Sequence, residues 1–135
     1  MKIFGGAIEI DLPTGVIDVS QFRQVPDNQE VFLIEKSTAN EDQNIIIELL
    51  EQPEGEINEV LNTHLSDIFD DVKPFKYDSL KENSYMVEYE NFLIGLIRFD
   101  KFETDILVSF NNSHDTQVFK SIVGSLKILD PSLFG

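Results

Sequence analysis

Cysteine is missing from all 135 residues, so neither a disulfide framework nor a thiolate zinc site can form. That absence suits a reducing compartment such as the cytosol or nucleus. Basic side chains are scarce: 10 Lys and Arg stand against 25 Asp and Glu, a formal net charge of −15. Nucleic acid and an anionic membrane would both repel such a surface, so neither is expected as a partner. A cationic partner is favoured instead, with an encounter that quickens as salt is lowered. The plain alternative is an acidic surface that only keeps the protein soluble. Long apolar runs are lacking too. The longest, residues 92–97, is far too short to cross a bilayer. The opening MKIFGGAIEI has one Lys and paired glycines, which is no secretory signal.

Signatures of chemistry are equally sparse. His64 and His114 form no HExxH pair and have no third ligand spaced beside them, so neither metal nor cofactor is expected. There is no GxSxG elbow, and Ser113-His114-Asp115 as direct neighbours do not make triad geometry. No Walker A loop exists, and Gly5-Gly6 lacks the rest of a dinucleotide fingerprint. The expectation is a binding protein, not an enzyme.

What is present is a hydrophobic content of 41%, enough for one globular domain over residues 1–135. Alternation predicts a first strand over residues 3–10, weakened by Gly5 and Gly6. A turn at 11–15 follows, then one helical turn capped by Asp18 and ended by Pro26. Asp27-Asn28 turns the chain into a strand over 30–35, and residues 37–43 read as a loop. Residues 44–50 are apolar on both faces, which marks an interior strand. Ile57, Val60, Leu61, His64, Leu65, Ile68 and Phe69 recur at three- and four-residue steps, predicting a helix within 53–71. His64 falls on its apolar stripe and is expected to be packed rather than to bind a ligand. Asp67, Asp70 and Asp71 oppose the helix dipole at its far end, where fraying is expected. Strands are predicted over 75–80, 85–90, 92–99 and 104–110, the last two as an antiparallel hairpin. Asp115 then caps a second helix that buries Val118, Phe119, Ile122, Val123 and Leu126. This order gives an α+β domain, a mostly antiparallel sheet flanked by helices.

Two stretches stand out against that background. FRQVPDNQEVF, residues 22–32, crowds Arg23, Asp27, Asn28, Gln29 and Glu30 around a proline turn. NIIIELLE, residues 44–51, is a core-like strand interrupted by Glu48 and Glu51. From Lys36 to Lys73 no Lys or Arg intervenes, while ten acidic residues do, so the strongest negative potential belongs here. Burying either glutamate unpaired would cost several kcal/mol, about the scale for an uncompensated charge. Each must therefore meet solvent, a partner or a cation, with Arg23 and Arg98 as candidates. Residues three apart on a strand face opposite ways, so a shared surface calls for a bend or bulge near Leu50.

Phe4-Gly5-Gly6-Ala7-Ile8, Leu12-Pro13, Asp18-Val19-Ser20, RQVPDNQEVF at 23–32 and IIIELLE at 45–51 together resemble the Mog-one family of Ran-binding guanine nucleotide release factors. Leu96-Ile97-Arg98-Phe99, Phe102-Glu103-Thr104-Asp105 and the closing DPSLFG extend the likeness, whereas residues 52–91 add little to it. The resemblance implies a PsbP-like fold, binding to the GTPase Ran, release of its nucleotide and a role in nuclear protein import. A monomer in the nucleus and cytoplasm is expected. It also implies that Glu48 and Glu51 contact Ran. Asp27, Glu30 and Arg23 are added to that contact set on charge and exposure. The rival expectation is a PsbP-like module serving a different basic partner.

Overall fold

The structure, a computed structural model, describes residues 1–34 and 43–135. Its strands are β1 (Lys2–Ile3), β2 (Ile8–Glu9), β3 (Ile17–Asp18), β4 (Gln29–Ile34), β5 (Gln43–Glu51), β6 (Tyr77–Lys81), β7 (Ser84–Tyr89), β8 (Phe92–Phe99), β9 (Thr104–Asn111) and β10 (Lys127–Ile128). Two α-helices, α1 (Ile57–Ser66) and α2 (Thr116–Ser125), complete it. Seven strands form one antiparallel sheet in the order β3-β4-β5-β9-β8-β7-β6, and a small second sheet runs β1-β2-β10. The class is the expected α+β. Glu35 and the loop expected over 37–43 lie outside the described residues, apart from Gln43, which opens β5.

The large sheet is covered on both faces, and the strand sequences say why. In β9 the residues Ile106, Val108 and Phe110 join one core with Phe119, Ile122 and Val123 of α2 and with Ile3 and Ile8 of the small sheet. Leu107, one step out of phase, joins the opposite core with Val60, Leu61 and Leu65 of α1. A strand buried on both sides must be apolar at consecutive positions, which is what ILVSF at 106–110 supplies. Gly95 of β8 lets α2 approach closely, since a Cβ there would sit 2.8 Å from Val123 Cγ2.

Four expectations need correction. Residues 3–10 do not form one strand: Phe4, Gly5 and Gly6 all take positive φ (51°, 67° and 90°) and fold the segment into the β1–β2 hairpin. The first helix is shorter than 53–71. Gly55 at φ 120° holds the chain out of helix before it, and Asp67 closes it. Ile68 and Phe69 continue only as a turn, with Phe69 fixed against Tyr89 and Phe92 at ring separations of 4.8 and 5.1 Å. Val118 is exposed on α2, because only Phe119, Ile122 and Val123 face the sheet. Finally, β10 extends the small sheet at residues 127–128, where no strand was expected.

Candidate partner-binding site

The acidic stretch converges where β5 ends and the chain crosses to α1. Glu48 and Gln29 are cross-strand partners on the α1 side of the sheet, and Gln29 Nε2 donates to Glu48 Oε2 at 2.8 Å. Asn28, in the turn with Asp27, is stitched to β5 twice: its carbonyl accepts from Leu49 N–H at 2.8 Å and its Nδ2 donates to Leu49 O at 3.1 Å. Exposed Asp27 is thereby held at the same end of the sheet as Glu48. Beyond exposed Glu51, Gln52 Nε2 donates to Asp100 at 2.9 Å, and Arg98 Nη2 reaches the Pro53 carbonyl.

The register between β5 and β9 runs unbroken through Leu49–Ile106, Leu50–Asp105 and Glu51–Thr104. No bulge at Leu50 brings the two glutamates onto one face. They meet a common surface differently. Glu48 borders a cleft of about 210 Å³ walled by Ile46, Leu50 and Ile68. Glu51 borders a second one of about 470 Å³ with Asn28 and Thr63. Leu50, His64 and Asp67 line both, so the clefts adjoin around the strand end.

Beneath them lies a charged group that sequence reasoning did not assemble. Asp105 is wholly buried; its Oδ1 accepts from Arg98 Nε at 2.9 Å and its Oδ2 meets His64 Nε2 at 2.8 Å. An ionised carboxylate can only accept, so in this contact His64 Nε2 is the donor. The signal was available: a hairpin turning at residues 100–103 sets Arg98 directly opposite Asp105. Arg98 therefore neutralises Asp105 rather than Glu48 or Glu51. His64 is packed as expected, 3% exposed, but also hydrogen-bonded.

The remaining candidates lie apart. Glu30 pairs with Ile47 on the sheet face opposite Glu48, where its Oε1 accepts from the Phe4 N–H at 3.0 Å. Its carboxylate thus closes the glycine hairpin onto β4. Arg23 is exposed just past the short 3-10 turn Val19–Gln21, beside Phe22, which is 71% exposed. Among the described residues no group of three or more His, Asp or Glu side chains is arranged to hold a metal ion, and no helix is long and apolar enough to cross a membrane.

Residues 1–90 match the family model described as Ran-interacting Mog1 protein. The chain belongs to that family. The match runs through residues 52–90, where the motifs alone showed little likeness. Among curated relatives of this Mog1-family chain, the Ran guanine nucleotide release factor of Bos taurus is 29% identical over 180 residues, covering 98% of this chain and 95% of the relative. An alignment longer than the chain itself means that this relative carries insertions. The nuclear import protein MOG1 of Saccharomyces cerevisiae is 29% identical over 140 residues, covering 82% of this chain and 64% of the relative. The solved structure of the Saccharomyces cerevisiae Ran-binding protein Mog1p superposes with a TM-score of 0.84 at 22% identity, covering 100% of this chain and 97% of that one. At that identity the likeness speaks for the fold.

Proposed function

We propose that this chain binds the GTPase Ran through the acidic surface around the end of β5 and promotes release of its guanine nucleotide, in support of nuclear protein import. It acts by binding, not by catalysis, as a monomer in the nucleus and cytoplasm, with neither nucleic acid nor membrane as a partner. Glu48 and Glu51 are the centre of the contact, with Asp27 beside them. The observation that carries this reading is that neither glutamate meets a cationic side chain among the described residues, while Arg98 is committed to Asp105. Relatives named for Ran nucleotide release supply the partner.

The physical route is linkage. A protein that binds the nucleotide-free or opened GTPase better than the loaded one shifts that equilibrium, and nucleotide must weaken its binding by the same factor. A specific interface buries on the order of 1,600 Å² in total. Apolar groups bordering the clefts, such as Leu50 and Ile68, must then contribute alongside the carboxylates.

The test is titration of Ran carrying a fluorescent nucleotide. Glu48→Lys and Glu51→Lys are each expected to weaken binding at least about tenfold, the scale of ~1.4 kcal/mol for a close charge contact across an interface. Both should slow release, with the fold intact by circular dichroism. Unchanged affinity and release in both variants would remove these residues from the contact. The wild-type association rate should also fall as salt rises.

A further inference from the structure

Glu51 points to the opposite face of the sheet from Glu48, and the DPSLFG run of residues 130–135 lies on that face. Direct cross-strand partners share a face, so the pairs Glu51–Thr104 and Thr104–Phe99 lay out one row across β5, β9 and β8. At the far end of the row the Phe134 ring stacks on Phe99, with centroids 6.4 Å apart. It also stacks on Phe102, at 4.7 Å and 12° between the planes. Both separations fall where aromatic pairs attract beyond the area they bury. Phe134 thus grips both flanks of the 3-10 turn Asp100–Phe102 that joins β8 to β9.

That turn has little to hold itself. Phe99 stands at its N-cap and has no side-chain oxygen to accept from the first N–H groups. Glu103, which ends it, sits at φ 52°, a left-handed conformation that a residue with a Cβ keeps only under support from its surroundings. The segment carrying Phe134 is anchored elsewhere. Leu129 and Asp130 N–H both donate to the Ala7 carbonyl, at 2.7 and 3.1 Å, and Lys127 and Ile128 pair with β2. Asp130 Oδ1 accepts from the Ser132 N–H at 3.0 Å. Dependence therefore runs from the anchored segment to the turn, and from the turn to the residue after Glu51. Gln52 N–H donates to the Glu103 carbonyl at 3.3 Å, and Gln52 Nε2 to Asp100 Oδ1 at 2.9 Å.

We propose that Phe134 is a positioning residue for Glu51. By stacking on Phe99 and Phe102 it fixes the turn over 100–103, and through Gln52 the turn fixes the end of β5 that presents Glu51. The partner then meets a carboxylate already in place, and binding is stronger for every side chain that need not be ordered in the complex. This deepens the binding reading above and rests on it for what Glu51 contacts.

The experiment compares variants of the full chain with wild type by amide NMR and by titration of Ran. Phe134→Ala should shift the Glu51, Gln52 and Glu103 amide signals and speed exchange of the Gln52 N–H, leaving the β6 signals unmoved. Phe134→Tyr, which keeps the ring, should restore them. Phe134→Ala should also weaken Ran binding about two- to tenfold, the range for one side chain left to be ordered on binding. Gln52→Ala cuts the same link from its other end, so it should give a similar loss, and the two together no more than either alone. In a Glu51→Ala background the effect of Phe134→Ala on affinity should vanish, and in a Glu48→Ala background it should persist; a general loosening of the fold would persist in both. If Phe134→Ala does not fold, Phe134→Leu, which keeps bulk without the stack, takes its place. Unmoved Glu51 and Gln52 signals overturn the proposal whether or not Ran binds, and so does a loss of affinity equal in the two backgrounds. If the signals move and wild type does not bind Ran, the positioning stands and the assigned partner fails.

Discussion

Removing the Asp105 carboxylate should be among the most damaging single changes available in this chain. Asp105 is wholly buried, Arg98 is 15% exposed, and both contacts to the carboxylate are under 3 Å. Asp105→Ala leaves a guanidinium at the sheet surface without its counter-charge and His64 Nε2–H without an acceptor. Breaking a buried pair from one side costs about 3–5 kcal/mol. Unfolding entropy near the midpoint is about 2.1 cal/mol/K per residue, or roughly 0.28 kcal/mol/K for 135 residues, so the melting temperature should fall by about 11–18 °C. Replacing all three members with apolar side chains of similar volume (Asp105→Leu, Arg98→Met, His64→Leu) should recover most of that loss, because the desolvation cost of the group disappears with it. Calorimetric or circular-dichroism melts of the single and triple variants decide the matter. A single variant melting within about 3 °C of wild type, the equivalent of under ~1 kcal/mol, would refute the reasoning. So would a triple variant no more stable than the single one.

Gly95→Ala should cost about 1–3 kcal/mol in urea unfolding, because the new methyl would lie 2.8 Å from Val123 Cγ2 and 3.2 Å from the Phe119 ring. Adding Val123→Ala should relieve part of it by vacating the clashing methyl. Asp115 Oδ1 accepts from the Val118 N–H at 3.1 Å at the start of α2, so Asp115→Ala should lose about 1 kcal/mol while Asp115→Ser loses less. Asp130 titrates below the usual carboxylate range because the Ser132 hydroxyl, and then the Ser132 N–H, donate to it. A depressed folded value stabilises the closing turn above the unfolded pKa, and the contribution is lost as pH falls through the folded one. Ser132→Ala should move the NMR midpoint of Asp130 back up; an unmoved midpoint would deny the hydroxyl its part.

Much of this architecture could be read from the chain because its strands obey a period of two and its turns use residues with one conformational purpose. Asp115, Asp18 and the Asp27-Asn28 turn are local devices, and each is found where the spacing put it. The first hairpin was harder, since Phe4 adopts a left-handed conformation that sequence gives no reason to expect outside glycine. β10 is two residues long and too brief for periodicity to register. The helix boundaries depended on Gly55 and on the packing of Phe69. For the site, the glutamates of β5 were visible as charges in an apolar run. That Glu30 turns away from them, and that Asp105, Arg98 and His64 meet below, follows from pairings between distant segments. Only the Arg98–Asp105 part was within reach of a hairpin register.

The large sheet is two local meanders, β3-β4-β5 and β6-β7-β8-β9, joined along the single seam between β5 and β9. Partners across that seam lie 53 to 65 positions apart, from Glu51–Thr104 to Ile45–Phe110. Each meander can assemble by short-range zippering, but the seam must wait for a long loop to close before any contact rewards it. Closure of this seam should thus set the refolding rate: trimming Ile47 or Leu107 would slow refolding, while trimming the β6–β7 hairpin would mainly hasten unfolding.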